Sequence, residues 1–323
     1  MARPSELINT RLLSKVSLMY YNLELTQQQI ADRLNLSRPK ISRLLKQARE
    51  QGIVKITVET DNGEFLDEET ELEKKFNLKE AIITDLGYSD SSANTESIKL
   101  QLGKAGARYL ARTISDNDKI GVSWGTTLSA VLNNLMPVLT KNVEVIQMLG
   151  GVGPPEAKEH TIDITRRLAQ LLNGYSKLLQ TPGIVNNTET KNVLLADKRV
   201  NEVLELFPSI NKAFVGIGSL STNQFLHKEN PELSAEIQNE ILNSGAVGDI
   251  SLNFFDVEGN AVNTHFKELF IGISLEELKS VKTVVGIAGG VEKFEAILGA
   301  LRGQHINVLI TDQKTAQKLI ELD

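Results

Sequence analysis

The stretch TQQQIADRLNLSRPKISRLLKQA, residues 26 to 48, crowds cations and hydroxyls together, with Ser37, Arg38, Lys40, Ser42, Arg43 and Lys46 all inside it. An arginine fork can bridge two acceptors on a guanine edge, which makes Arg43 the candidate for base contact, while Arg38, Lys40 and Lys46 can neutralise phosphates. Two later loops could do different chemistry. IGVSWGTTL (120–128) runs from an apolar strand through Gly125 to Thr126 and Thr127, and GIAGGVEKF (286–294) carries Gly289, Gly290 and Lys293. Free N–H groups at a helix start, two hydroxyls and the helix dipole favour an anion such as phosphate, although Thr126 serves equally well as a simple cap. A lysine at the start of a helix opposes the dipole, and a bound phosphate would offset that cost. QMLGGVG (147–153), with Gly150 and Gly151, reads either as a third ligand loop or as a plain tight turn.

The elements that must position these residues follow from periodicity. Thr26 and Gln29 have capping-box spacing, so a helix starts at 26, with Ile30, Ala31 and Leu34 on one face. Asn35-Leu36 breaks it, Ser37 offers a second N-cap with Pro39 in the first turn, and Ile41, Leu44, Leu45 and Ala48 form the inward stripe of the next helix. An upstream helix near 10–22 supplies Leu12, Val16, Met19 and Tyr20 as a third wall. Three helices with a tight second turn and a basic third helix match the helix-turn-helix plan, and IVKITV (53–58) alternates like the strand of a wing. A charged helical hairpin is the simpler reading of the same residues.

Beyond an acidic helical stretch at 61–75, apolar strand-length runs alternate with amphipathic helices. EAIITD, KIGVSW, VEVIQML, KLLQTP, KAFVGIG, VKTVVGIAGG and NVLITD are the expected strands. Helices are expected near 94–114, 126–135, 160–173, 231–243 and 291–301. That alternation predicts an α/β fold whose mostly parallel sheet is covered on both faces, with ligands bound beyond the carboxyl ends of its strands. The expected organisation is a DNA-binding domain over 1–60, a helical linker or oligomerisation element over 61–80, and an effector domain over 81–323.

Charge divides the chain the same way. Residues 1 to 60 hold ten basic and five acidic side chains, a surplus of +5; the whole chain is −6, so the remainder carries −11. A basic segment on an acidic body suits one part that meets phosphate backbone and one that does not. With no cysteine, disulfides, thiolate metal sites and cysteine nucleophiles are excluded. No apolar run reaches the ~20 residues of a membrane span, and a cytoplasmic protein without metal or cofactor is expected. Gly150, Gly151 and Gly153 miss the dinucleotide fingerprint, and neither a Walker A loop nor a nucleophile elbow occurs. His160, Asp249 and the Arg166-Arg167 pair are the remaining polar candidates, each of which could be structural.

The chain resembles the SorC/DeoR-type bacterial sugar-responsive regulators along nearly its whole length. LSRPKISRLLKQAREQGIVKI, IGVSWGTTL, GAVGDI, FFDVEG, GIAGGVEKFEAILGALRG and VLITDQKTAQKLI carry the resemblance, in order. It implies an N-terminal winged helix-turn-helix on operator DNA and a Rossmann-like effector domain akin to ribose-5-phosphate isomerase and glucosamine-6-phosphate deaminase. It also implies a phosphorylated sugar effector and assembly as a homodimer or homotetramer. By motif, Gly125, Thr126 and Thr127 match the phosphate loop and Lys293 the lysine that joins it, while His160 and Asp249 fall at sugar-hydroxyl contacts. Leu149-Gly150-Gly151 departs from the polar residue many members carry before the two glycines, so the preferred sugar is expected to differ. Two rivals stand beside a repressor relieved by its effector. One is a sugar-phosphate isomerase or deaminase with a DNA-binding head, for which no acid and base pair is evident, and the other is a structural DNA-binding protein, which leaves the glycine loops without a use.

Overall fold

Thr26 and Gln29 exchange hydrogen bonds in the computed structural model: the Gln29 N–H donates to Thr26 Oγ1 at 3.3 Å and the Thr26 N–H to Gln29 Oε1 at 2.9 Å. This box starts α2 (Gln27–Leu34), preceded by α1 (Pro4–Ser17) and a π-helical turn over Leu18–Asn22, and followed by α3 (Arg38–Glu50). Asn35 takes a left-handed conformation (φ 51°) that ends α2 and leaves a three-residue turn before α3. Ile30, Ala31, Ile41, Leu44, Leu45 and Ala48 bury together against Val16, Met19 and Leu13. The described residues are 4–54, 65–85, 95–151, 155–221 and 233–322, with backbone alone for 4–9 and 155–161. Most of the expected wing therefore lies outside them, though Ile53 and Val54 pack on the three-helix core.

The chain divides into Met1–Asn62 and Gly63–Asp323. In the second unit the strands are β1 (Glu80–Thr84), β2 (Lys119–Val122), β3 (Glu144–Gln147), β4 (Tyr175–Lys177), β5 (Lys212–Gly216), β6 (Gly218–Ser219), β7 (Gly248–Ile250), β8 (Asn253–Phe255), β9 (Thr283–Ile287) and β10 (Val308–Asp312). Seven form one sheet in the order β1-β10-β9-β5-β2-β3-β4, and each adjoining pair is parallel. Strands β6, β7 and β8 form a small antiparallel sheet that the sequence pattern did not anticipate, because each is only two or three residues long. The helices are α4 (Leu66–Phe76), α5 (Thr95–Thr113), α6 (Thr126–Asn134), α7 (Pro155–Leu171), α8 (Thr188–Ala196), α9 (Lys198–Leu204), α10 (Ala235–Leu242), α11 (Phe266–Leu269), α12 (Leu275–Ser280), α13 (Phe294–Arg302) and α14 (Gln313–Ile320).

Alternate strand residues feed two cores, as a sheet buried on both faces requires. Phe214, Ile120, Val122 and Val145 pack beneath α5, α6 and α7, whereas Ala213, Val215, Val284 and Leu309 pack beneath α4, α9, α12, α13 and α14. Two expectations change. Residues 66–76 form the helix expected there, but its Leu72 is fully buried in the second unit's core, since its apolar side meets β1 and α14. KLLQTP is not a strand over its length: β4 ends at Lys177, and Leu179 and Thr181 turn inward as loop residues.

At the far side from the strands' carboxyl ends, His305 follows α13 and is buried, with Nε2 2.8 Å from the Gly259 carbonyl oxygen. That oxygen can only accept, so Nε2 carries the proton, and buried Nδ1 has no partner. Burial, with help from the Lys279 charge, holds the imidazole pKa below its ordinary value. The unfolded chain therefore takes up a proton that the folded chain resists once pH falls below about 6.5, so stability present above that pH drains beneath it. Melting curves from pH 7.5 to 5.5 should show a loss of stability that His305→Gln, which keeps a donor for Gly259 without titrating, makes shallower; parallel curves for the two proteins would remove His305 as the cause.

Candidate functional site

In the head, Ser37 stands at the N-cap of α3 with its hydroxyl uncommitted, and Ser37, Arg38, Lys40, Ser42, Arg43 and Lys46 are all exposed. The inward stripe of α3 requires this, because Ile41, Leu44, Leu45 and Ala48 take the buried face and the cations fall opposite. Lys46 pairs loosely with Glu50 at 3.7 Å, one turn along. Among the described residues Arg38, Lys40 and Arg43 have no ion pair, so the first turns of α3 keep a cluster of positive charge free for an external polyanion.

In the second unit, strand order reverses at β5. The chain runs outward through β2, β3 and β4, then returns to β5 and proceeds through β9 and β10 in the other direction. A crevice opens where two such neighbouring strands send their following loops apart. The β2 loop reaches it through Ser123, whose N–H donates to the Phe214 carbonyl at 3.2 Å. Gly125 then caps α6 with φ +122°, a conformation that favours glycine, and a Cβ there would meet nothing within 4 Å. Among the described residues neither Thr126, which is exposed, nor Thr127, which is mostly buried, has a hydrogen-bond partner for its hydroxyl; Gly125, not Thr126, holds the cap position. The start of α6 thus brings N–H groups and hydroxyls together beside Gly125, where a side chain would have room.

Lys293 arrives from the other side of β5. It sits in a 3-10 turn over Val291–Lys293 just before α13, rather than inside that helix, and its ammonium donates to the Ile217 carbonyl at 2.9 Å. Burial holds its pKa below the ordinary lysine value, opposed by the carboxylates of Asp249 and Glu292. Asp249 lies opposite Gly218 in the small sheet, which continues β5, and its Oδ2 accepts the Leu252 N–H at 3.0 Å. Gly125, Thr126, Thr127, Lys293 and Asp249 therefore all gather around the end of β5. His160 belongs to α7, and its side chain is outside the described residues.

The other two glycine turns are structural in their amides. The N–H groups of Gly150 and Gly151 donate to the Ile271 and Thr181 carbonyls, and a Cβ at Gly150 would come within 2.6 Å of the Thr181 and Pro182 oxygens. The Gly290 N–H donates to Asp312 Oδ2 at 2.7 Å and Thr315 Oγ1 at 3.2 Å, and Gly289 packs against the same carboxylate. Arg167 is a surface tie, bonded to Asn133 and paired with Asp163.

Sequence reasoning missed the residues that hold these loops. Asp312 is fully buried at the end of β10; besides Gly290 it accepts from the Thr315 hydroxyl at 2.6 Å and the Thr315 N–H at 3.1 Å. Its signal was present, since TDQKT is an N-cap pattern, but nothing in it says which distant loop the carboxylate will grip. Ser251 and Leu252 both take left-handed backbone, φ 53° and 63°, and the Ser251 hydroxyl donates to Ser123 Oγ at 2.9 Å, tying the β7–β8 turn to the β2 loop.

With this geometry in place, comparison with known proteins decides the family. Residues 61–321 match the family described as "Putative sugar-binding domain", and residues 10–69 match a Crp-like helix-turn-helix domain. The chain is 34% identical over 303 residues to the deoxyribonucleoside regulator of Bacillus subtilis, covering 94% of this chain and 95% of that one. It belongs to the SorC/DeoR-type family of sugar-responsive transcriptional regulators. The sorbitol operon regulator of Klebsiella pneumoniae is 33% identical over 321 residues, spanning 96% of this chain and 98% of its own. The crystal structure of full-length SorC from that organism superposes with a TM-score of 0.73 at 32% identity, over 97% of this chain and 99% of that one. These full-length relatives are regulators, so the chain is a DNA-binding transcriptional regulator with a sugar-binding domain, and the isomerase or deaminase reading gives way. Among the described residues no helix is long and apolar enough to cross a membrane.

The Asp312 network generates a direct test. Asp312→Asn replaces one acceptor oxygen by a donor at a site surrounded by donors, and should cost about 1–3 kcal/mol of stability for the buried group left unmatched. Urea unfolding checks the cost, and amide exchange at Gly290 should quicken; unchanged exchange there would mean the carboxylate does not hold the loop.

Proposed function

We propose that this chain is a repressor of a carbohydrate-utilisation operon, released from its operator by a phosphorylated sugar. Residues 1–60 are its reading head and residues 81–323 its effector domain; the intervening segment, with α4 seated on the effector unit, joins them. Arg43 contacts bases, Arg38, Lys40 and Lys46 contact phosphates, and Ser37 and Ser42 contribute hydroxyls on the same exposed side. The phosphate rests at Gly125, Thr126 and Thr127 with Lys293 opposite, and Asp249 and His160 meet sugar hydroxyls. The protein acts where its DNA is, in the cytoplasm, as a homodimer or homotetramer, because helix-turn-helix readers address half-sites about one or more helical turns apart in pairs.

One observation carries the effector reading: the start of α6 offers uncommitted hydroxyls and open space at Gly125, while a cation arrives across β5 from Lys293. A lysine partly withdrawn from water and held by one carbonyl gains from a dianion placed before it. The relatives' names point to deoxyribonucleosides and sorbitol. Here the buried Leu149 before the two glycines argues for a sugar of its own, within the same class of pentose and hexose phosphates and their alditols.

The two sites separate by mutation. On an operator selected from random DNA by the wild-type protein, Arg43→Ala should cost ~1–3 kcal/mol and relax sequence preference. Lys46→Ala should weaken all sequences alike and flatten the salt slope by about one. Unaltered operator affinity in Arg43→Ala takes that residue off the reading surface.

Lys293→Ala should hold the operator normally yet lose ~1.5–3 kcal/mol of effector binding, about ten-fold or more. The measurement is a titration of labelled operator with wild type and variant, with and without sugar phosphates. Equal release of both proteins from DNA excludes Lys293 from the phosphate site, and turnover of the sugar by the wild type overturns the regulator mechanism argued here.

A further inference from the structure

Two polar atoms beside the Gly150–Gly151 turn are buried without a partner among the described residues, Gln147 Oε1 and Thr181 Oγ1. Native interiors satisfy nearly all such atoms, and an orphan asks for a reason. Gln147 is 1% exposed at the end of β3, beside Val122 in register, and Val122 leads straight into the Ser123–Gly125 loop. Strand alternation puts its side chain on the face of Val143 and Val145, which is the face that α6 covers. Its Nε2 donates to the Leu149 carbonyl at 2.8 Å, which fixes the amide's orientation and leaves Oε1 as the atom in want of a donor.

Thr181 reaches the same turn from the loop after β4. Its carbonyl accepts the Gly151 N–H at 2.9 Å, while its hydroxyl is bonded to nothing. Leu149, between them in the chain, is wholly buried in an apolar cluster, and its side chain has no polar group to offer. The other buried orphans, in Ser17, His305 and Thr311, share no turn with one another.

We infer that Gln147 and Thr181 form a polyol subsite beside the phosphate loop, a sugar hydroxyl donating to Gln147 Oε1 and a second one pairing with the Thr181 hydroxyl. The inference rests on the effector reading above and deepens it: phosphate at the start of α6 supplies the anchor, and this pair discriminates among carbon chains by their hydroxyls. A site that hydrogen-bonds a substrate hydroxyl rejects the analogue lacking it, because its own polar groups are then left buried and unpaired.

The test compares inorganic phosphate with ribose 5-phosphate, 2-deoxyribose 5-phosphate, fructose 6-phosphate and sorbitol 6-phosphate by calorimetric titration of the full chain. Thr181→Val conserves shape and removes only the orphan hydroxyl, and Gln147→Met removes the orphan acceptor. In each variant the best sugar phosphate should lose about five- to ten-fold in affinity, the loss expected for one neutral hydrogen bond, while inorganic phosphate binds as in the wild type. Ligand-free Thr181→Val should melt no lower than the wild type, since the hydroxyl it loses has no partner to abandon. If the wild type prefers a sugar phosphate and both variants keep that preference undiminished, the subsite is refuted while the phosphate site stands. If the wild type binds neither phosphate nor any of the four sugars, the effector reading falls and takes this one with it. Thr181→Val decides alone should Gln147→Met fail to fold.

Discussion

Every strand of the main sheet points the same way, and most of what this molecule does depends on that constraint. Parallel neighbours cannot be joined by tight turns, so each strand needs a crossover, and the loops that follow strands collect at one end of the sheet. Because order reverses at β5, the β2 loop and the β9 loop arrive from opposite sides of the same strand end. Residues 125–127 and Lys293, more than 160 positions apart, are both carried to that end for a reason of topology, without any local signal.

The opposite end of the sheet is clamped. Asp118 is buried and accepts from the Ser115 N–H at 2.7 Å, from Asn211 Nδ2 at 2.7 Å and from the Lys212 ammonium, while Asn211 Oδ1 accepts the Lys119 N–H at 2.9 Å. This pins β2 to β5 where their register starts. A buried carboxylate that lost any one of these donors would be left undersatisfied, so the pairing is specified by polar contacts as well as by apolar ones. Rigidity at the amino ends leaves the carboxyl ends to carry the strained β7–β8 turn, the open Gly125 cap and the uncommitted hydroxyls. Cost is thus concentrated at one end of the sheet.

The head answers to different physics. Its three helices close on their own apolar cluster, and its charge surplus is held on the outer side of α3, as expected of a module whose affinity comes from phosphate neutralisation and whose selectivity comes from base edges. Whatever the effector does to operator affinity, the operator does to effector affinity by the same factor.

Much of this was legible without a structure. The Thr26–Gln29 box, the Ile41–Ala48 stripe and the basic side of α3 are local patterns, and local patterns survive folding because they are set by neighbours three and four residues away. The same holds for strands such as KAFVG and VLITD, whose apolar runs are long enough to announce burial on both faces. Short, loop-like or long-range features were not legible. β6 to β8 are too brief to show a period, KLLQTP is apolar yet folds largely as loop, and the partners of the buried Leu72 of α4 are set by β1 and α14, far along the chain. The sequence by itself determined the two modules, their charge division and the identity of the loops that carry glycine, threonine and lysine. Only the tertiary structure decided that Gly290 is held by Asp312, that the Gly150 and Gly151 amides are already spent, and that Gln147 and Thr181 keep unpaired atoms beside them. Hydrogen-bond partners distant in the chain are selected by sheet order and register, and those are properties of the packed whole.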